Sequence, residues 1–181
     1  MSSRLVRWGT LRTILFLLAV LTLFGLAVVR PAYDRIEAFS GGVAAIDGSI
    51  VYTPDRAHEM IAAYGEQGRQ VYMIIALTVD TAFPLLLALT FSFTLASLFH
   101  RAFARAGVLH RAVRVPMAAL TADLLENLGI VTLLLGYPRR LPAVALLASA
   151  FSTVKWTAIA AEAVLVAIGL VALLIQRTRQ P

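Results

Sequence analysis

Apolar residues run almost unbroken through four stretches of the chain: Thr13 to Val29, Val71 to Phe99, Val115 to Gly136 and Ala143 to Ile175. At 1.5 Å rise per residue each run reaches about 25 Å or more, close to the hydrocarbon thickness of a bilayer. The pattern predicts an all-α fold, an integral membrane four-helix bundle that forms a single transmembrane domain over residues 1–181, with an outer loop over residues 30–70. No internal repeat or low-complexity tract interrupts it, and nothing indicates inverted halves of the transporter kind.

The 40-odd residues between the first two runs are too many for a simple connection, so structure is expected within them. Thr53-Pro54-Asp55 sets a capping hydroxyl, a proline at the first helical position and an early acid in order. Ala57, Met60, Ile61 and Tyr64 follow at helical spacing and Gly65 supplies a stop, which predicts a short amphipathic helix from Pro54 to Tyr64. Its apolar side can lie among lipid headgroups or cover the outer mouth of the bundle. Upstream, Gly41 to Tyr52 offers an Asp-Gly turn between short apolar segments, which reads either as a hairpin or as an irregular loop.

Composition agrees with this picture: 60% of residues are hydrophobic and 14% charged, which leaves no room for a separate soluble domain. The net charge of +6 would suggest nucleic acid in a soluble protein, but its distribution points elsewhere. Arg4, Arg7 and Arg12 precede the first run, Arg101, Arg105, Arg111 and Arg114 join the second to the third, and Arg177 and Arg179 follow the fourth, with no acid among them. The positive-inside rule puts those segments and both termini in the cytoplasm, and the charge-balanced connections outside. The first run exceeds a secretory signal core and is followed by a poor cleavage site, so it reads as an uncleaved anchor. With no cysteine, thiol-disulfide chemistry and thiolate metal sites are excluded.

The exceptions to the apolar pattern carry the chemistry. Asp80, Asp123, Glu126, Asn127, Lys155 and Glu162 lie inside spanning stretches, where an ionisable side chain costs about 3 kcal/mol and marks a site or a helix-locking pair. Counted from the outer helix ends, Asp80, Glu126 and Lys155 fall at a common depth of roughly 13 to 18 Å, near mid-bilayer. Asp123, Glu126 and Asn127 share one helix face, and Ser152, Lys155, Ile159 and Glu162 share another. Pro84 leaves the carbonyl of residue 80 without its helical donor and is expected to bend the second helix there. A Lys–acid pair would suffice to lock helices, but three carboxylates around one ammonium exceed that need, and such a surplus is expected to leave one acid neutral beside an ionised one.

Other motifs are weak. His58, His100 and His110 are scattered with no i, i+4 pair, so no metal and no cofactor is implied. Gly65-Glu66-Gln67-Gly68-Arg69 follows no strand and reads as a helix stop with an interfacial anchor, and Trp156 reads as core packing before a cavity-lining or lysine-contacting side chain. The set Gly68-Arg69-x-x-Tyr72, Asp80-x-x-x-Pro84, Asp123-x-x-Glu126-Asn127, Tyr137-Pro138 and Lys155-Trp156 resembles a group of short bacterial four-helix membrane proteins. The resemblance implies the fold, a bacterial plasma membrane and the association of these positions, and carries over no activity.

The functional expectation is a polar pocket that binds membrane lipids or a hydrophobic, lipid-like or isoprenoid-like small molecule and performs acid-base chemistry on it. Asp80, Glu126 and Lys155 are the candidate catalytic residues, with Asp80 or Glu126 as donor and Lys155 holding another carboxylate ionised. Asp123, Asn127, Ser152, Trp156, Tyr72 and Arg69 are the candidate ligand-binding residues. Two other classes stand beside it: a non-catalytic partner that assembles with itself or with another membrane protein, and a proton or cation translocator.

Overall fold

The computed structural model describes residues 10–103 and 111–178. Arg4, Arg7, Arg105, His110 and Arg179 lie outside the described residues, as does the side chain of Arg177. The described chain is helical, with no strand: α1 Leu11–Phe24, α2 Arg30–Phe39, α3 Pro54–Ala63, α4 Gly65–Leu77, α5 Val79–Ala102, α6 Arg114–Gly136 and α7 Pro142–Thr178. Four stretches, Leu11–Phe39, Gly65–Ala102, Arg114–Gly136 and Pro142–Gln176, are long and apolar enough to cross a membrane. The chain therefore reads as an integral membrane protein.

Two spans are longer than the hydropathy pattern indicates. The first continues past Val29 through a π-helical turn, Gly25–Val29, into α2. That wider turn relieves the clash between the ring of Pro31 and the preceding carbonyls, so the proline does not end the helix. The second span starts at Gly65, whose φ of +65° ends α3 and turns the chain into α4. It then breaks at Thr78 (φ −119°, ψ −77°), upstream of the bend expected at Pro84, and α5 runs on through that proline. The break places Asp80 in the first turn of α5, where the backbone N–H groups favour a carboxylate.

The short helix α3 forms as its signals indicate. Thr53 accepts a hydrogen bond from Arg56 N at 3.2 Å, Pro54 opens the helix, and Ala57, Met60 and Ile61 are buried. Together with residues 43–52 it covers the larger core, which joins Ile36, Ile46, Tyr64, Tyr72, Ile75, Ile130 and Leu134. A second, smaller core of Leu95, Ala96, Phe99, Ala112 and Val113 lies near the opposite ends of the spans.

The helices divide unequally. α6 and α7 pack most extensively, at a close approach where a Cβ on Gly129 would stand 2.8 Å from that of Ala148. α5 packs on both. The first span packs on the second, with α1 against α5 and α2 against α4, and Phe24 stacks on Phe83 at 6.4 Å. Since the first span leans on the second, a gap opens between it and α7. At one end of the molecule Gln176 Nε2 donates to Ala102 O at 2.8 Å, and Arg101, Arg111 and Arg114 are exposed there. The other end exposes a mixture, including Asp55, Arg56, Glu59, Arg139 and Arg140.

Candidate functional site

Lys155 is the hub of the buried polar cluster. Its Nζ stands 2.6 Å from Glu126 Oε2 and 3.3 Å from Asp123 Oδ1, and donates to the backbone carbonyl of Asp47 at 3.0 Å. Glu126 is 0% exposed, so the ammonium replaces the water that this carboxylate would otherwise need. The i, i+3 spacing of Asp123 and Glu126 turns both acids toward the one lysine.

Asn127 links the third span to the second. Its Nδ2 donates to the carbonyl of Asp80 at 2.9 Å. That carbonyl is the one left without a helical donor by Pro84, so a side chain from α6 satisfies a backbone acceptor on α5. The effect is to fix the start of α5, and with it Asp80, against α6.

Asp47 joins the cluster from the loop. In the sequence it counts among the charges of a neutral outer connection, yet it is 4% exposed and lies in a single 3₁₀ turn, Ile46–Gly48. Tyr72 donates to its Oδ1 at 2.6 Å and accepts from its backbone N at 3.3 Å. The Tyr33 hydroxyl stands between Asp47 Oδ2, to which it donates, and Asp80 Oδ1 at 3.0 Å. One phenol thus links the first span, the loop and the second span.

The loop is held there by α7. Tyr52 N donates to Ser149 Oγ at 2.9 Å, Thr153 Oγ1 donates to Ile50 O at 3.1 Å, and Ser152 Oγ donates to Ser49 O at 2.6 Å. With the Lys155 bond to Asp47 O, residues 47–52 run along one stripe of α7 in the opposite direction. Buried backbone needs such partners where no ladder provides them. Residues 41–52 accordingly form an irregular loop with one 3₁₀ turn and no hairpin, because the groups a hairpin would pair are taken by serine, threonine and lysine side chains. Burial first, then the negative charges of Glu126 and Asp47, pushes the Tyr52 phenol above its usual range. Burial and Asp47 act likewise on Tyr64, which keeps its hydrogen and donates to Ala44 O at 2.8 Å.

A cleft of about 220 Å³ opens beside this cluster. Tyr33, Asp47, Asp80, Asp123 and Lys155 supply its polar surface, and Val29, Phe83, Leu87, Trp156 and Ile159 its apolar walls. It occupies the gap between the first span and α7. Trp156 therefore lines the cleft, with Lys155 Nζ 5.5 Å from its ring centroid, and its Nε1 has no partner among the described residues. Asp80 Oδ2, Glu126 Oε1 and Asn127 Oδ1 likewise lack hydrogen-bond partners there.

The structure thus brings together Asp80, Asp123, Glu126, Asn127, Lys155, Ser152, Trp156 and Tyr72. Arg69 is apart: its guanidinium lies 4.2 Å over the Tyr137 ring and its Nη1 reaches Ile61 O at 3.5 Å. Tyr33 and Asp47 are the residues that sequence reasoning missed. The signal available was the Ser149-x-x-Ser152-x-x-Lys155 stripe, polar groups at helical spacing that need partners from outside α7. No three His, Asp or Glu side chains among the described residues are arranged to hold a metal ion. Comparison with protein-family models, with curated proteins and with solved structures finds no match, so the functional reading rests on the geometry of this site.

Proposed function

We propose that the protein is a four-helix bundle of a bacterial plasma membrane, with both termini in the cytoplasm and residues 40–64 on the outer side. In this reading its lateral cleft binds the polar head of an amphipathic, lipid-like or isoprenoid-like molecule and performs acid-base chemistry there. The supporting observation is the cleft itself, apolar at its walls and lined within by four acidic or phenolic groups and one lysine.

Its level in the bilayer follows from the first span. Large exposed apolar residues extend from Leu11 to Val28, about 26 Å along the axis and near the hydrocarbon thickness. Exposed Arg30, Asp34, Arg35 and Glu37 follow, on either side of Tyr33. The cleft accordingly sits where hydrocarbon gives way to headgroups, higher than a count from the outer helix ends suggests, because those ends project beyond the apolar belt of the first span. An amphiphile entering sideways meets apolar walls with its chain and carboxylates with its head.

The proton inventory assigns the roles. Tyr33 has one hydroxyl hydrogen and two carboxylate neighbours, so a proton carried by Asp80 makes the second contact a full hydrogen bond. Asp80 lines the cleft whereas Glu126 does not, which makes Asp80 the donor and acceptor toward a ligand. Lys155 pairs with Glu126 and Asp123, and Asn127 positions Asp80 through its backbone. Isomerisation, cyclisation or hydration of an unsaturated ligand needs only such proton transfers.

The test is Asp80→Asn, which keeps size and the contact to Tyr33 but removes titration. Wild type and variant, purified in parallel, are compared by native mass spectrometry and lipid extraction. A bound amphiphile that is chemically altered only in the wild type is the expected result. Identical bound species, together with unaltered physiology of a strain carrying the variant, would leave the assembly-partner reading in its place. Orientation is checked separately: in a chain without native cysteines, Glu66→Cys should label from outside and His100→Cys from inside.

A further inference from the structure

Glu162 is a buried carboxylate that takes no part in the cluster around Lys155. It is 1% exposed, and its Oε2 has no hydrogen-bond partner among the described residues. A carboxylate so placed is costly unless a proton or a water serves it. Seven residues beyond Lys155, it lies on the same stripe of α7, two turns further from the outer end.

A chamber of about 10 Å³ lies behind the cleft, lined by Pro116, Ala119, Asp123, Lys155, Ile159 and Glu162 among others. That is space for one water and no more. Pro84, Leu87, Asp123, Lys155 and Ile159 line the cleft as well and separate the two spaces. Of the groups facing Glu162 across the chamber, α6 contributes Asp123, α7 contributes Lys155, and α5 contributes only the uncharged Pro84, Leu87 and Ala88. On its other side Leu165 and Val166, one turn further along α7, pack into the apolar layer of Leu95, Phe99 and Val113. Glu162 thus shares a space with the cluster and has an apolar layer between it and the opposite end of the spans.

We propose that Glu162 is a relay residue that exchanges a proton with Asp123 through a single water in this chamber and so gives the site a proton reserve behind the ligand. The proton leaves the Glu162 carboxyl for the water, which passes one of its own to the Asp123 carboxylate. The reverse transfer restores both groups, and no electrons move. An amphiphile filling the cleft covers the route by which outer water reaches the acids, and a reserve on the far side keeps them supplied. That use in turnover rests on the acid-base reading of the cleft, whereas the exchange itself is a property of the ligand-free protein.

The experiment is infrared difference spectroscopy of the full chain in lipid nanodiscs, following the C=O bands of protonated carboxyl groups during pH titration and after transfer to D₂O. Loss of a band in Glu162→Gln identifies the Glu162 signal. In Asp123→Asn that signal should titrate with a proton affinity changed by about tenfold or more, because two carboxyl groups that share one water interact as they titrate. In Ile159→Phe, which fills the partition, its O–H should exchange with D₂O at least tenfold more slowly than in wild type. Should Asp123→Asn fail to fold, the Ile159→Phe rate decides alone. An unchanged titration in Asp123→Asn or an unchanged exchange rate in Ile159→Phe overturns the relay. Failure of the ligand reading shows differently, as the absence of a bound amphiphile while the carboxyl coupling persists.

Discussion

The proposed orientation gives the helix assembly an outer half, which carries the Lys155 cluster, and an inner half, which carries Glu162, and the two differ in how polar groups are tied together. In the outer half charge is concentrated and cross-linked: Asp47 takes hydrogen bonds from two phenols, Lys155 meets two carboxylates and a carbonyl, and Asn127 serves an orphaned backbone oxygen, while Asp80 Oδ2, Glu126 Oε1 and Asn127 Oδ1 keep no partner among the described residues. In the inner half the core is small and apolar, and its one buried acid, Glu162, has a free oxygen. The first half reads as a scaffold that holds a few groups in fixed positions, since each is tied from two or more elements. The second half reads as anchor and seal. Within the described residues the tied atoms position their neighbours, whereas an unpartnered carboxyl oxygen, on Asp80 as on Glu162, is available for proton exchange.

The comparison is broken most severely at Lys155. Lys155→Met leaves Glu126, Asp123 and Asp47 without their cation, and removing one partner of a buried pair costs about 3 to 5 kcal/mol. The expected outcome is loss of folded protein on detergent extraction, read by thermal melting. The double variant Lys155→Met with Glu126→Met should recover a large part of that loss, because an absent pair costs less than half of one. Strict additivity of the two substitutions would show that the outer half is not the interdependent network described. The matching substitution in the inner half, Glu162→Gln, should leave the melting temperature unchanged or raise it.

Asp47→Asn comes next. It retains the shape but weakens the hydrogen bonds from Tyr33 and Tyr72, each worth about 1.5 to 3 kcal/mol when the acceptor is charged. The loss should be local. Residues 43–52 should gain hydrogen exchange and become open to proteolysis while α5, α6 and α7 stay protected, as follows if the loop is held down only by this anchor and by the side chains of α7. Equal loss of protection in the helices would show that the loop is integral to the bundle rather than docked on it.

The difference between the halves also governs how much can be read from the chain. α6 and α7 begin and end within a residue or a few of their hydropathy limits, and α3 follows its Thr53 cap and Pro54, because these signals are local. The grouping of Asp80, Glu126 and Lys155 follows from counting residues along rigid helices. What escaped is non-local. Tyr33 lies in a stretch whose Arg30, Pro31, Asp34 and Arg35 look like a span's end, and only the π turn and packing on α4 continue the helix through it. Asp47 carries only an Asp-Gly turn signal, which says nothing of burial, and its place depends on Ser149, Ser152 and Lys155 more than a hundred residues away. The register between a loop and a helix stripe is set by pairings that no local pattern records.

A smaller effect tests the pairing of Pro84 with Asn127. Asn127→Leu should cost about 0.6 to 1.7 kcal/mol, the range for interhelical hydrogen bonds in membranes, by returning the Asp80 carbonyl to an unsatisfied state. Pro84→Ala restores a backbone N–H four residues after Asp80, so the carbonyl gains a helical donor and no longer needs the amide. The cost of Asn127→Leu should therefore fall in the Pro84→Ala background. A double-mutant cycle by unfolding in mixed micelles reads this coupling, and a cost that is the same in both backgrounds would assign Asn127 another role.

The smallest effect is expected at the outer surface, where Arg140 Nη1 lies 2.6 Å from Asp55 Oδ1. The distance is as short as that between Lys155 and Glu126, but the side chains are 67% and 78% exposed instead of buried. Water screens the attraction and solvates either partner once the other is removed, so such pairs contribute about 0 to 1 kcal/mol. Arg140→Gln should shift the melting temperature little, and the shift should shrink further in high salt. The two contacts have the same length, so the pair of substitutions contrasts an exposed ion pair with a buried one that has further partners. A loss at Arg140 comparable to that at Lys155 would mean that α3 is clamped by this ion pair rather than by Ala57, Met60 and Ile61, and would extend the interdependent network to the outermost surface.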